Sequence, residues 1–205
     1  FERTFNDYKK ENKFMAYYMT ISGHLSHNFN TNDIAKKWQK ETKNLQYSNN
    51  VKAYLSANID LDKGLESLLN NLKENKLLND TVIVLTPDHF PYGLNNTELK
   101  ELKSLKTTYD KHKSGLIIYN PEVKKKEITK YSANVDILPT ILNMFGIKYD
   151  SSLIIGKDIM SDEEGIVIFN DRSFLTKEGF YNAKNNTFSN TKIANSYINK
   201  KQIEV

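Results

Sequence analysis

Thr81-Val82-Ile83-Val84-Leu85-Thr86-Pro87-Asp88-His89 is the stretch whose reading decides the fold. An unbroken β-branched and apolar run from Thr81 to Leu85 predicts a strand covered on both faces. In open parallel sheets, ligand chemistry gathers beyond the carboxyl ends of such strands. Asp88 and His89 stand at that end. A carboxylate and an imidazole in adjacent positions suit a divalent transition metal whose other ligands come from elsewhere. Alone, the pair is weak evidence, since most Asp-His pairs are turn residues or solvated surface, so the flanking pattern has to decide.

Upstream, Phe14 to Ile21 is a second nearly unbroken apolar and aromatic run, expected to be a strand ending at Ser22-Gly23-His24. A second ligand type thus follows a second strand. Asn28 to Asn50 is polar and rich in asparagine, a loop with a short helix around Ile34 to Lys40. Leu61, Leu65, Leu68, Leu69 and Leu72 then recur at helical spacing, with Asp60 and Asp62 before them and Lys73 and Lys76 after, as the helix dipole favours.

Downstream, a Lys/Leu-rich stretch of helical character leads to a third strand, Gly115 to Tyr119, closed by Asn120-Pro121. Val135, Leu138, Ile141, Leu142 and Phe145 share one helical face, with Pro139 in the opening turns and Gly146 past the end. Gly165 to Phe169 is a fourth strand. The tail from Ser173 to Val205 reads as a β-hairpin or meander around Lys177-Glu178-Gly179. Interleaved strands and helices predict one α/β domain over 1–205, with an α/β portion at 1–172 and a small antiparallel region at 173–205.

Composition excludes several classes. The net charge of +4 comes almost wholly from lysine, Arg3 and Arg172 being the only arginines, so the arginine forks of nucleic-acid readers are missing. Lys124-Lys125-Lys126 reads as a solvated loop. The absence of cysteine excludes disulfides and thiolate metal sites. No apolar stretch approaches the roughly 20 residues of a membrane span. Phe1-Glu2-Arg3-Thr4 is polar, with no initiator Met and no apolar leader, which leads us to expect a piece of a longer protein.

The order of motifs resembles the catalytic domain of the alkaline phosphatase and sulfatase superfamily, and within it the lipoteichoic acid synthase-like branch. The match is carried by Tyr18 to His24, by Tyr54 to Leu78 running into Val82 to Gly93, by the Asn134 to Gly146 helix with its Asp-Ile-Leu-Pro-Thr core, and by Gly156-Lys157-Asp158-Ile159. What this resemblance implies is an alkaline phosphatase-like three-layer αβα sandwich with a mainly parallel central sheet, of which the chain forms the C-terminal half. It also implies Asp88 and His89 as ligands of a divalent metal, manganese first, with zinc, magnesium or calcium as alternatives.

By the same resemblance His24 faces the substrate's phosphate or leaving group. His112 is a weaker substrate contact because its spacing fits poorly, and His27 is left as surface. Arg172 either binds an anionic head group or pairs with an aspartate. The family's glutamate ligand and threonine nucleophile have no counterpart here; Thr20 and Thr86 read as packing residues, and the chain alone is expected to be inactive. The implied parent is a bacterial, membrane-anchored, outward-facing enzyme that moves phosphoglycerol from an anionic phospholipid to a glycolipid or cell-envelope polymer, anchored through an N-terminal part outside this sequence. Two alternatives stand beside it. One is a sulfatase or phosphodiesterase, disfavoured because formylglycine sulfatases often carry Asp-Asn in place of Asp88-His89; the other is a non-catalytic polyanion-binding module.

Overall fold

The computed structural model describes residues 2–11, 13–190, 192–193 and 195–204. The chain forms two compact units, residues 1–124 and 125–205, each with its own core.

In the first unit the helices are α1 (Glu2–Tyr8), α2 (Asp33–Lys37), α3 (Gln39–Thr42), α4 (Asn49–Glu74) and α5 (Asn96–Leu102), and the strands are β1 (Ile83–Leu85) and β2 (Ile117–Tyr119). The long α4 is the spine, and its sequence divides it into two kinds of contact. Its first half buries Ala53 and Ala57 against Ala35, and these small side chains let α2 approach closely. Its second half buries Leu68 and Leu72 against Phe5 of α1. The helix starts well before the predicted leucine stripe, so Asp60 sits mid-helix and accepts from Lys37 Nζ (2.8 Å) and Trp38 Nε1 (2.9 Å) instead of opening the helix. Lys76, at φ 60°, takes the left-handed position that ends it, and Leu77 N–H reaches back to the Leu72 carbonyl at 2.8 Å.

A reciprocal cap opens α5: Asn95 Oδ1 accepts from the amides of Thr97 and Glu98, while Glu98 Oε2 accepts from Asn95 N–H. The other oxygen of Glu98 accepts from Asn50 Nδ2 at 2.8 Å, tying α5 to α4. Together with Leu94 and Leu99 this packs the segment after β1 onto Val51 of α4.

Strand direction departs from expectation. β1 and β2 pair antiparallel, Val84 opposite Ile118, and every ladder among the described residues is antiparallel. A β-branched run signals burial but not the direction of its partner, and a connection as long as the one from Leu85 to Ile117 permits either sense. Nor is β1 fully covered, its three residues being half-buried. The predicted strand at Phe14 to Ile21 forms no ladder. Its side chains nonetheless alternate. Phe14 packs on Tyr8 and the Tyr18 hydroxyl bonds those of Thr4 and Tyr8, whereas Met15, Tyr17, Met19 and Ile21 are 91, 78, 82 and 68% exposed.

The second unit holds α6 (Ile137–Met144), a four-stranded antiparallel meander of β3 (Val167–Ile168), β4 (Phe174–Thr176), β5 (Gly179–Asn182) and β6 (Thr187–Phe188), and α7 (Asn195–Glu204). The turn at Lys177-Glu178 is where the sequence placed it, and Phe174 stacks on Tyr181 in the sheet's core. The helix after β6 was not foreseen. It docks through Tyr197, whose hydroxyl donates to Glu164 Oε1 and bonds Thr176 Oγ1, and through the buried Lys201 ammonium, 3.1 Å from Glu164 Oε2.

At the start of α6 the buried face is polar. The Asp136 carboxylate accepts from Ala133 N–H (2.7 Å) and Lys157 N–H (2.8 Å), and Thr140 Oγ1 donates to the Asp136 carbonyl while accepting from Ile159 N–H. The Asp-Ile-Leu-Pro-Thr sequence is therefore a clamp on the Gly156 to Ile159 turn. Gly156 is required there, since a Cβ would stand 1.9 Å from the Val135 carbonyl oxygen. The apolar stripe of the same helix points outward, Val135, Leu138 and Phe145 being more than half exposed.

Candidate functional site

The first unit carries the candidate site on three loops: the turn after Ile21, the turn after β1, and the short 3-10 turn Asp110–His112 before β2. The Asp88-His89 turn is well defined. His89 N–H donates to Asp88 Oδ1 at 2.9 Å, fixing the carboxylate beside its neighbour. His89 Nδ1 lies 2.8 Å from the Phe90 carbonyl oxygen. A carbonyl can only accept, so Nδ1 bears the proton and, in the neutral ring, Nε2 keeps its lone pair. That Nε2 stands 3.3 Å from Asp88 Oδ2, and the two side chains are 46 and 85% exposed.

Two lone-pair atoms so close repel unless something positive lies between or beside them. Ligands roughly 2.0–2.2 Å from one ion stand about 3.0–3.5 Å from each other, so the spacing suits a shared divalent cation, with Nδ1–H anchored to backbone as ligating histidines usually are. The donor set of one carboxylate and one imidazole fits such an ion, and two ligands do not complete its shell. Among the described residues no three His, Asp or Glu side chains converge as a metal site.

His24 is exposed on a turn closed by its own N–H to the Ile21 carbonyl (2.9 Å), with its Nδ1 3.3 Å from the Leu25 carbonyl. That turn rests on α4, where Gly23 faces the Asn58 amide. It also meets the Asp88-His89 turn. A Cβ on Gly93 would lie 1.9 Å from Leu25 Cδ2 and 3.0 Å from His27 Cδ2, so the two loops touch at the bare backbone of Gly93. His112 joins them from the third loop, its ring edge-on to Phe90 at 5.0 Å with the Lys111 ammonium over the same ring. Burial, Lys111 and Lys103 hold the His112 imidazole below its ordinary pKa of 6.5.

His27 corrects the reading as surface: it is 7% exposed, edge-on to Tyr54 at 5.1 Å, and its buried Nδ1 has no hydrogen-bond partner. Burial and the neighbouring His24 push its pKa down. Nothing in its own stretch of sequence signals this burial, which Tyr54 and Gly93 create from remote positions. Arg172 lies in the second unit, in the left-handed conformation (φ 64°) at the β3–β4 turn, where Asp171 Oδ1 accepts from Ser173 N–H. Thr86 follows β1 and is half-buried, whereas Thr20 is exposed and does not pack as expected.

A sulfatase family model matches residues 3–147. The chain belongs to the sulfatase family. It is 28% identical to the lipoteichoic acid synthases of Staphylococcus aureus strains USA300 and COL over 212 aligned residues, which takes in 96% of this chain and 31% of each of theirs. The chain thus spans about a third of the length of those relatives. The crystal structure of the lipoteichoic acid synthase LtaP from Listeria monocytogenes superposes with a TM-score of 0.73 at 21% identity, covering 100% of this chain and 54% of that one. The fold of this sulfatase-family chain, helices with antiparallel strands, is therefore one shared with LtaP. Its Asp88-His89 turn and its Asp136-Thr140 clamp both fall within the matched span.

Proposed function

We propose that the chain forms part of a phosphoglycerol-transferring catalytic domain in which Asp88 and His89 hold a divalent cation and His24 meets the substrate's phosphate. The observation that carries this reading is the exposed pair of ligand atoms 3.3 Å apart, oriented by a backbone-anchored Nδ1. Similarity to lipoteichoic acid synthases over 96% of the chain supports the transferase class.

A cation bound there lowers the pKa of a coordinated hydroxyl and offsets charge on phosphoryl oxygens. Asp88 and His89 orient that centre. In this reading His24, across the loop contact, binds an anionic oxygen or protonates a leaving alkoxide. His112, against Phe90, and Arg172 are weaker candidates for substrate contact. The nucleophilic threonine and a further acidic ligand come from sequence outside this chain, within a three-layer domain to which both units belong. The parent protein acts at the outer face of a bacterial membrane, on phosphatidylglycerol-like lipid, with manganese.

The test uses the natural full-length protein: Mn2+-dependent release of diacylglycerol from phosphatidylglycerol. Asp88→Ala and His89→Ala are each expected to lower the rate by roughly 10²–10³-fold, the scale of losing a transition-state charge stabiliser. Wild-type rates in both variants refute the assignment. Release of free glycerol phosphate in place of transfer to an acceptor identifies a phosphodiesterase on the same site.

A further inference from the structure

We infer that His27 is a positioning residue: its buried ring, set against the bare backbone of Gly93, fixes the spacing between the turn that bears His24 and the turn that bears Asp88 and His89. Three observations meet here. The ring is backed by Tyr54 of α4 at 5.1 Å, and Tyr54 belongs to the same apolar cluster as Phe90 and Leu94, which flank the second turn. A Cβ at Gly93 would come within 3.0 Å of His27 Cδ2 and 3.2 Å of its Nε2, so the ring is in direct contact with the peptide that ends that turn. Leu25, covalently next to His24, is the other wall of the contact.

The ring is also an odd choice for packing alone. Its Nδ1 is buried without a partner, which an apolar ring would avoid, and buried polar atoms of this kind gather where function overrides local stability. A shift of about 1 Å between a substrate-facing group and the reacting centre can cost about a hundredfold in rate, which is the scale at which this spacing acts.

The kinetic arm of the test rests on the phosphoryl-transfer reading; the spectroscopic arm does not. In the natural full-length protein, His27→Ala is expected to lower kcat for phosphatidylglycerol turnover about ten- to hundredfold. The calorimetric Kd for Mn2+ stays within about twofold, because both proposed ligands lie on one side of the contact. Gly93→Ala is expected to lower kcat as well, and in the double variant the losses fall short of multiplying, since the new methyl group takes up part of the vacated ring space.

His27→Gln, which keeps a polar planar group of similar reach, recovers part of the rate. Independently of turnover, Mn2+ added to histidine-labelled protein broadens the His24 ring resonance, and His27→Ala changes that broadening. Wild-type kcat in His27→Ala, fully multiplicative losses, or His24 broadening unaltered in His27→Ala overturns the inference. A protein that turns over no phosphatidylglycerol yet shows the altered broadening refutes the transferase reading and leaves His27 in its role.

Discussion

At the scale of single residues, the closeness of the Asp88 carboxylate and the His89 imidazole was legible because it is local: adjacent residues after a strand bring the two groups together whatever the rest of the chain does. Changing Asp88 to Asn keeps the shape and removes the charge, so Mn2+ titrated calorimetrically into the full-length protein is expected to bind at least tenfold more weakly, with little change in melting temperature. His27 was illegible for the opposite reason. Its burial is created by Tyr54 and Gly93, remote in sequence, and a polar residue in a turn gives no hint of them. The same burial makes a pH prediction, since burial and then His24 depress its pKa, while the Glu98 charge opposes them. In the unfolded chain this histidine takes up a proton near pH 6.5, but in the folded chain only at lower pH. Its contribution to stability is therefore fully present above pH 6.5 and is lost as the pH falls from there through the folded pKa. His27→Phe removes that proton uptake, so its melting temperature should fall less steeply below pH 6.5 than that of the wild type; parallel curves in scanning calorimetry would contradict the assignment.

At the scale of elements, helical periodicity was legible where strand pairing was not, and the reason is where the determining contacts lie. The α4 and α6 periodicities are written within the segments themselves, although the polar clamp at the start of α6 inverts the expected face: Asp136 and Thr140 are buried while Val135 and Leu138 are exposed. Strand pairing is non-local, so neither the antiparallel sense of β1 with β2 nor the unpaired state of Phe14 to Ile21 follows from composition. The clamp itself is testable. Thr140→Val keeps the volume, deletes the hydroxyl and leaves Ile159 N–H buried without its acceptor, at a cost of about 1–3 kcal/mol. Urea denaturation should show the midpoint lowered with the slope unchanged. Thr140→Ser, which keeps the acceptor, should recover most of the loss.

At the scale of the whole molecule, the first unit has its core on the α4 side and an uncovered apolar row on the other. Met15, Tyr17, Met19 and Ile21 project at alternate positions, each more than two thirds exposed, on a segment whose Phe14 and Tyr18 are tied down by Tyr8. A period-two row with backbone groups outside any ladder has the pattern of a strand lacking neighbours, and soluble monomers rarely leave such rows open because other chains pair with them. The 205-residue polypeptide produced alone is therefore expected to self-associate in a concentration-dependent way, visible in sedimentation velocity. Met15→Lys combined with Met19→Lys places two charges on that row and should shift the distribution towards monomer. Their circular dichroism should match the wild type, since neither side chain contributes to the buried clusters. If instead the unsubstituted polypeptide stays monomeric at high micromolar concentration, the row is covered in solution by a rearrangement of this chain, and hydrogen exchange would find the amides of Met15 to Ile21 protected.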